Sequence, residues 1–257
     1  MVRFNIFLII LIIGLFGCSG SNVDLTVDDI LERYEKGLKY FEKKKFFRAQ
    51  EEFEYVLLRG RHTDKADDAQ YYLAESYFFN KEYLTAIVEY DRLIRMMGTQ
   101  TNYLELSRYR ICQCYAEESP KYYHDQSHTD KAIEKFQEFI EDFPESEYVE
   151  DAEEMIQVLR AKLAKKVYES AYLYVKLQEY ESAIIYLNSL LDTYYDTSWA
   201  DEGRLLYVQL YLKLGKIDEA REYLNEIGLK SKNDSIYQKA KSLIAETQEK
   251  NSSKKKL

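Results

Sequence analysis

The sequence predicts an all-α solenoid of about five helix pairs, with one lengthened helix before the fourth repeat, and two observations support this fold class. The only two prolines, Pro120 and Pro144, fall between the predicted helices, as an all-helical chain requires. A four-position column of a small, an aromatic, an alanine and a bulky apolar residue recurs five times. In chain order the columns are Gly37/Tyr40/Ala49/Phe53, Ala74/Tyr77/Ala86/Tyr90, Cys112/Tyr115/Ala132/Phe136, Ala171/Tyr174/Ala183/Leu187 and Val208/Tyr211/Ala220/Leu224.

This column resembles that of tetratricopeptide (TPR) repeats, whose helix pairs stack into a right-handed superhelix. The small residue and the alanine let two antiparallel helices approach closely, while the aromatic residue fills the gap to the next pair. We expect residues 28–228 to form the solenoid and residues 229–257 to form a charged C-terminal helix and tail. The predicted repeats lie near 28–60, 66–98, 103–144, 148–196 and 199–228.

Two departures from the TPR period predict enlarged elements. The column alanines lie 37, 46, 51 and 37 residues apart, against a TPR period of about 34. The polar segment 119–129, which contains Pro120, predicts an enlarged loop inside the third repeat. Residues 148–176 contain no proline or glycine, and the 51-residue step exceeds the 37-residue step by 14 residues. Because 14 residues make about four helical turns, the apolar face stays in phase and one long helix is predicted.

The glycines have positions that fit helix ends or close packing. Gly60, Gly98 and Gly228 are each expected to follow a second helix as a left-handed cap. Gly215 is predicted in the tight turn of the last repeat, and Gly37 is predicted to allow close packing against the partner helix.

The N-terminus predicts a lipoprotein signal peptide over residues 1–17. Arg3 precedes an apolar stretch that is shorter than the roughly 20 residues needed to span a bilayer. Leu15-Phe16-Gly17-Cys18 resembles the bacterial lipobox, which implies lipidation at Cys18, and Ser19 implies sorting to the outer membrane. Residues 18–27 would then form a lipidated tether that holds the chain on the membrane. The alternatives are an uncleaved anchor and an ordinary secretory peptide.

The charge pattern excludes nucleic acid as an expected partner. The formal net charge is −9, acidic and basic residues are interspersed along the helices, and binding to phosphates would need a basic stripe. Open repeat grooves also give no closed cleft in which a nucleophile and a base would meet, so no catalytic site and no cofactor are expected.

Four residues are candidates for metal or redox chemistry. His124 and His128 are four residues apart, but both are expected in the enlarged loop, so no metal site is predicted. Cys112 and Cys114 point away from one another on a predicted helix and cannot bridge each other. Cys112 is interpreted as a buried apolar residue, while a redox role for Cys114 stays open.

The segment around the insert resembles the BamD family. It contains Ser119-Pro120, Asp125-Gln126, Thr129, Lys131-Ala132-Ile133, Asp142-Phe143-Pro144 and Tyr148-Val149. BamD proteins are outer-membrane lipoproteins with TPR repeats that serve the machinery for β-barrel insertion. The resemblance implies three kinds of protein partner: the POTRA domains of a BamA-like barrel protein, other assembly lipoproteins, and unfolded β-barrel proteins. It also implies a location on the periplasmic face of the outer membrane.

Two sets of binding residues are expected from this resemblance. The groove of the first two repeats would bind extended, aromatic-ended segments, and the outer surface around the long helix would dock the POTRA domain. The groove candidates are Arg59, Arg61, Tyr71, Tyr72 and Glu75, and the docking candidates are Arg160, Lys162 and Lys166.

Two functions from other classes remain open from sequence. One is a CpoB-like TPR lipoprotein that organises peptidoglycan or cell-division proteins, which would share the repeats but lack the Ser119-Pro120 and Asp125-Gln126 insert. The other is an enzyme or solute-binding lipoprotein with a helical shell, which would need a closed pocket with perturbed ionisable groups.

Overall fold

The computed structural model describes residues 27–97, 101–230 and 234–254, and it confirms a TPR-like all-α solenoid over these ranges. Most helices pack mainly on the helices before and after them in the chain. The signal peptide, Cys18 and Gly98 lie outside the described residues. The helices are α1 (Val27–Glu42), α2 (Phe46–Arg59), α3 (Ala66–Phe79), α4 (Tyr83–Met97), α5 (Leu104–Glu117), α6 (Ser127–Asp142), α7 (Val149–Lys176), α8 (Tyr180–Thr193), α9 (Ser198–Lys213), α10 (Ile217–Lys230) and α11 (Asp234–Lys254).

The repeating column forms the contact between the two helices of each pair. Gly37 shows why a small residue is needed there, since a Cβ atom at this position would lie 2.7 Å from Cε1 of Phe53. The close packing predicted at Gly37 is therefore confirmed. All five column alanines are fully buried: Ala49, Ala86, Ala132, Ala183 and Ala220.

Four repeats reverse the chain through the same tight turn. One residue in the left-handed region lies five positions before each column alanine, and the next backbone N–H donates to the carbonyl oxygen of the column tyrosine. This is the Schellman arrangement that closes a helix C-terminus. The left-handed residues are Lys44 (φ 56°), Lys81 (φ 64°), Gln178 (φ 64°) and Gly215 (φ 75°). The turn predicted at Gly215 is confirmed.

The predicted long helix is α7, which runs without interruption for 28 residues. It buries Ile156 and Leu159 against the third repeat, and Ala171 and Val175 against the fourth and fifth. Ala164, in the middle of the helix, is fully buried. One continuous element therefore joins the two halves of the solenoid.

Three local predictions were wrong. Helix α6 begins at Ser127, so His128 lies in the first turn of a helix rather than in the enlarged loop. Gly60 does follow α2, but its φ is −111°, and a Cβ atom there would lie 2.5 Å from Cγ2 of Ile30. Gly60 therefore allows close packing on α1 instead of a left-handed cap. Gly228 lies inside α10, which continues to Lys230.

Helix α11 closes the C-terminal end of the solenoid. Ile236, Ala240 and Ile244 are buried against α9 and α10, where they contact Val208 and Leu224 of the last column. Within the ranges that the structure describes, no helix has the length and apolar character needed to cross a membrane.

Candidate protein-binding surfaces

A groove of about 650 Å³ lies between α8, α9 and α10, and we call it the C-terminal groove. Tyr195 lies at its mouth, where the side chain is 66% exposed. The groove combines aromatic rings with carboxylates, which suits contact with a protein surface. Its aromatic and acidic lining residues are Tyr195, Tyr207, Tyr211, Tyr223, Asp192, Asp196, Asp201 and Glu226.

The C-terminal groove is electrostatically negative. Arg204 is the one cation among its described lining residues, and it forms an ion pair with Asp201 at 2.7 Å. Burial raises the pKa of both Tyr207 and Tyr223, so these phenols stay neutral. The hydroxyl of Tyr207 donates to Oδ1 of Asn188 at 3.0 Å, which fixes the ring at the groove wall.

Arg160, a predicted docking cation, lies at the rim of the C-terminal groove. Its guanidinium donates to Asp196 at 2.8 Å and to the carbonyl oxygen of Thr193 at 2.9 Å. The hydrogen bond from Arg160 holds the pKa of Asp196 below its usual value. Arg160 therefore orients a lining carboxylate and joins α7 to the loop before α9.

The other two predicted docking cations hold the enlarged connection of the third repeat against α7. Nζ of Lys162 donates to Oγ of Ser119 at 2.8 Å, and Nζ of Lys166 donates to the carbonyl oxygen of His124 at 2.9 Å. Burial lowers the pKa of Lys162. Both ammonium groups are thus engaged within the chain.

The enlarged connection, residues 118–126, is organised by a buried glutamine. Gln126 donates to the carbonyl oxygens of Lys121 (2.9 Å) and His124 (3.1 Å), and it accepts a hydrogen bond from Thr129 at 2.8 Å. The hydroxyl of Thr129 also bonds to that of Ser119. The polar residues that gave the insert its family-like pattern therefore form an internal network.

A second groove, of about 540 Å³, lies between α2, α3 and α4, and we call it the N-terminal groove. Its apolar part includes Leu58 and Met96, which are 76% and 40% exposed. Arg61 and Arg92 lie at its edge, and Arg92 pairs with Glu89 at 2.7 Å. Of the predicted groove residues, only Arg61 lines this groove, while Arg59 is exposed at the end of α2.

Tyr71 and Glu75 are buried between the second and third repeats, which corrects the expectation that they face a groove. The ring of Tyr71 stacks on Tyr103 with centroids 4.0 Å apart. Glu75 accepts hydrogen bonds from the hydroxyl of Tyr90 and from Nε of Arg110, the latter at 2.8 Å. These side chains are covered because α5 of the following repeat packs over them.

Tyr72 is half-buried between the first two repeats. Its ring centroid lies 5.4 Å from that of Phe41 and 5.8 Å from that of Phe53. The ring of Tyr72 therefore packs mainly against the first repeat and leaves little aromatic surface free for a ligand.

Sequence reasoning missed the residues that line the two grooves most fully. Tyr207 lies one turn before the column residue Tyr211, and Tyr223 directly precedes the column residue Leu224. Their position next to column residues could have identified them, since a residue beside a packing position lies at the edge of the core. Leu58 and Met96 carried no comparable signal.

No group of three or more potential metal ligands occurs among the described residues. Cys112 and Cys114 are both buried, and burial raises the pKa of the Cys112 thiol to about 12. Sγ of Cys112 donates to the carbonyl oxygen of Lys135, which ties α5 to α6.

Comparison with known structures finds TPR proteins. The TPR2AB domain of yeast Sti1, in its pHSP90 complex, has a TM-score of 0.44 at 16% identity, covering 87% of this chain and 86% of that chain. A TPR protein of Thermus thermophilus has a TM-score of 0.35 at 15% identity, covering 85% of this chain and 98% of that one.

Comparison with curated sequences finds outer membrane protein assembly factors named BamD. The protein from Rickettsia prowazekii is 27% identical over 245 residues, which cover 91% of this chain and 94% of that protein. The one from Caulobacter vibrioides is 24% identical over 169 residues, covering 66% of this chain and 55% of that protein. The model of the outer membrane lipoprotein family YfiO matches residues 28–226. Because this match spans well over half of the sequence, the chain belongs to the YfiO family of outer membrane lipoproteins, which includes the BamD assembly factors.

Proposed function

We propose that this chain is a lipid-anchored, non-enzymatic scaffold of the outer-membrane β-barrel assembly machinery. It binds the POTRA region of a BamA-like barrel protein at one end and unfolded barrel proteins at the other. Cys18 carries the lipid, and the solenoid lies on the periplasmic face of the outer membrane beside other assembly lipoproteins. The observation that carries this proposal is the family match over residues 28–226, which spans both grooves.

The C-terminal groove is the proposed docking site for the POTRA domain. Its exposed tyrosine, Tyr195, gives contact area at low entropic cost, and its carboxylates favour a partner surface with positive charge. Arg160 contributes by orienting Asp196, while Lys162 and Lys166 contribute by holding the enlarged connection beside α7.

The N-terminal groove is the proposed site for unfolded barrel segments. Extended barrel strands place apolar side chains on alternate positions, which fits an open apolar groove better than a closed pocket. Leu58 and Met96 offer the apolar contact. Arg61, with Arg59 close by in the sequence, offers positive charge for a terminal carboxylate.

Purification of the tagged full-length chain from its native envelope in mild detergent tests the docking site. We expect a large barrel protein with POTRA domains to co-purify, and Tyr195→Ala to weaken its binding about 30-fold, the loss typical of an interface hot spot. Val88→Ala is the control, since Val88 is 49% exposed on α4 and lies outside the C-terminal groove. Equal recovery with both variants would place the docking site elsewhere.

Peptide binding tests the N-terminal groove. A short synthetic peptide with alternating apolar residues and a C-terminal phenylalanine should bind the purified chain, and Leu58→Asp should weaken it about 30-fold. Val158→Asp, at a 53% exposed position on α7, is the control. Equal loss in both variants would argue against a site at Leu58.

Mass spectrometry of the same material tests the anchor and the alternative function. An acylated Cys18 peptide is expected, and an unmodified one would exclude the lipid anchor. Recovery of peptidoglycan or cell-division proteins without a POTRA-bearing barrel would favour the envelope-organising alternative.

A further inference from the structure

The tips of the first two hairpins differ chemically from the tips of the other repeats. Two positions before the column alanine, the first two repeats place Phe47 and Leu84, which are 63% and 54% exposed. The equivalent positions of the third, fourth and fifth repeats are acidic: Asp130, Glu181 and Asp218. All five positions are exposed in the structure, so the difference is not explained by burial.

A basic run accompanies these apolar side chains. Lys43, Lys44 and Lys45 form the turn between α1 and α2, and Lys81 occupies the position equivalent to Lys44 in the next hairpin. All four are exposed, and none forms an ion pair within the described part of the chain. We call Lys43, Lys44, Lys45, Phe47, Lys81 and Leu84 the hairpin edge. Its four lysines outnumber the two flanking carboxylates, Glu42 and Glu82, on a chain whose formal net charge is −9.

The apolar side of the hairpin edge is rigid. Phe41, Phe46 and Phe79 pack on one another with ring centroids 5.5 to 5.8 Å apart and join the first two hairpins into one surface. Phe79 is itself 43% exposed. These three rings form a packed apolar base that is adjacent in sequence to Lys45 and Phe47.

We propose that the hairpin edge seats on a bilayer surface that contains anionic phospholipid. Lysines attract anionic headgroups, and a short row of exposed apolar side chains enters the boundary between headgroups and acyl chains. This inference rests on the lipid anchor proposed at Cys18. Carboxylates stand at the matched positions of the third, fourth and fifth repeats, so those positions offer no attraction for the same surface.

The length of chain between the anchor and the hairpin edge allows this seating. The 16 residues of α1 separate its start from the first turn by about 24 Å. The segment from Cys18 to Val27 can span at most about 30 Å when extended. The tether therefore reaches far enough for α1 to run back to the membrane that holds Cys18.

Depth-dependent fluorescence quenching tests the proposal on the full-length lipidated chain. In a Trp199→Phe background, which removes the only native tryptophan, Phe47→Trp and Leu84→Trp report on the hairpin edge. Glu181→Trp reports on the matched position of the fourth repeat. The vesicles contain phosphatidylcholine with brominated acyl chains, with or without phosphatidylglycerol.

We expect both edge reporters to be quenched in vesicles with phosphatidylglycerol, and Glu181→Trp to stay unquenched. Changing Lys43, Lys44 and Lys45 to Gln should reduce the seated population about fivefold for each charge removed. Raising the salt concentration from about 0.1 M to about 1 M should act in the same direction, because it screens the attraction. Gln is tolerated at the left-handed position, since Gln178 occupies it in the fourth repeat.

Other outcomes overturn the proposal in distinguishable ways. If the chain floats with the vesicles but the edge and control reporters are quenched alike, or not at all, the anchor stands and the hairpin edge does not seat. If the chain does not float, the anchor and the seating are both wrong. A blue shift of Phe47→Trp emission only on addition of the co-purifying barrel protein would assign the edge to a protein surface instead.

Discussion

The four tight hairpins and the enlarged connection of the third repeat reverse the chain by different means. In the hairpins, a backbone N–H closes on the carbonyl of the column tyrosine, and the left-handed position accepts Lys, Gln or Gly. In the enlarged connection, the side chain of Gln126 replaces this backbone closure, and Lys162 and Lys166 hold the segment against α7. Backbone closure tolerates many sequences, whereas side-chain closure does not. Ser119, Gln126 and Thr129 of the insert are therefore internal braces.

The largest effect is expected from Ala164→Pro, in the part of α7 that receives the enlarged connection. Proline removes a helical hydrogen bond at a fully buried position and should lower the free energy of unfolding by about 3 kcal/mol or more. Urea unfolding measures this loss. Val158→Ala, at an exposed position of α7, is the control, and an unchanged midpoint for Ala164→Pro would contradict a continuous helix.

The next largest effect is expected from Gln126→Ala, which removes the side-chain closure. The carbonyl oxygens of Lys121 and His124 and the hydroxyl of Thr129 each lose one hydrogen bond and keep another, so we expect a total loss of about 2 kcal/mol. Gln137→Ala, at an exposed position of α6, should change stability little. Equal urea midpoints for the two variants would mean that the connection is closed by its backbone after all.

Gly215→Ala tests the backbone-closed turns. An alanine at φ 75° is strained, so we expect a loss of about 1 kcal/mol even though a Cβ atom there meets nothing within 4 Å. Thermal unfolding measures it. Because steric contact is absent, any loss reports on the backbone conformation alone, and no loss would show that the turn relaxes.

The smallest effect, and the only gain, is expected from Gln178→Gly. Glycine relieves the left-handed strain at φ 64°, but it also raises the conformational entropy of the unfolded chain. The net stabilisation should therefore be about 0.5 kcal/mol. The same thermal assay applies, with Glu179→Gly as the control outside the left-handed region. A destabilised Gln178→Gly variant would mean that the glutamine side chain contributes to the turn.

The repeating fold was predictable because its information is local. The repeated column predicted the five helix pairs, and the 14 extra residues, about four helical turns, predicted the long helix α7. The roles of Gly37 and Gly215 were predicted correctly from packing and turn geometry. Gly60 was placed at the end of α2, but its close contact with Ile30 lies 30 residues away in the chain and could not be read from spacing.

The candidate surfaces were less predictable, since they depend on which repeat covers which side chain. Tyr71 and Glu75 were predicted to face a groove. In the structure, Tyr103 and Arg110 of the next repeat cover them. The hairpin edge was missed for the opposite reason. Lys43, Lys44 and Lys45 indicate a binding surface only together with the exposed side chain of Phe47 and the acidic residues at the equivalent positions of later repeats. That exposure is known only from the structure.

Helix α11 prevents copies of the chain from stacking end to end. Without Ile236, Ala240 and Ile244, the last repeat would present an open apolar face built for another helix pair. A stacked-repeat protein with such a face can add the first repeat of a neighbour, and this contact does not close on itself, so it propagates into filaments. The lipid anchor proposed at Cys18 would confine the molecules to a plane and make such contacts more frequent. By covering that face, α11 makes the solenoid a finite particle.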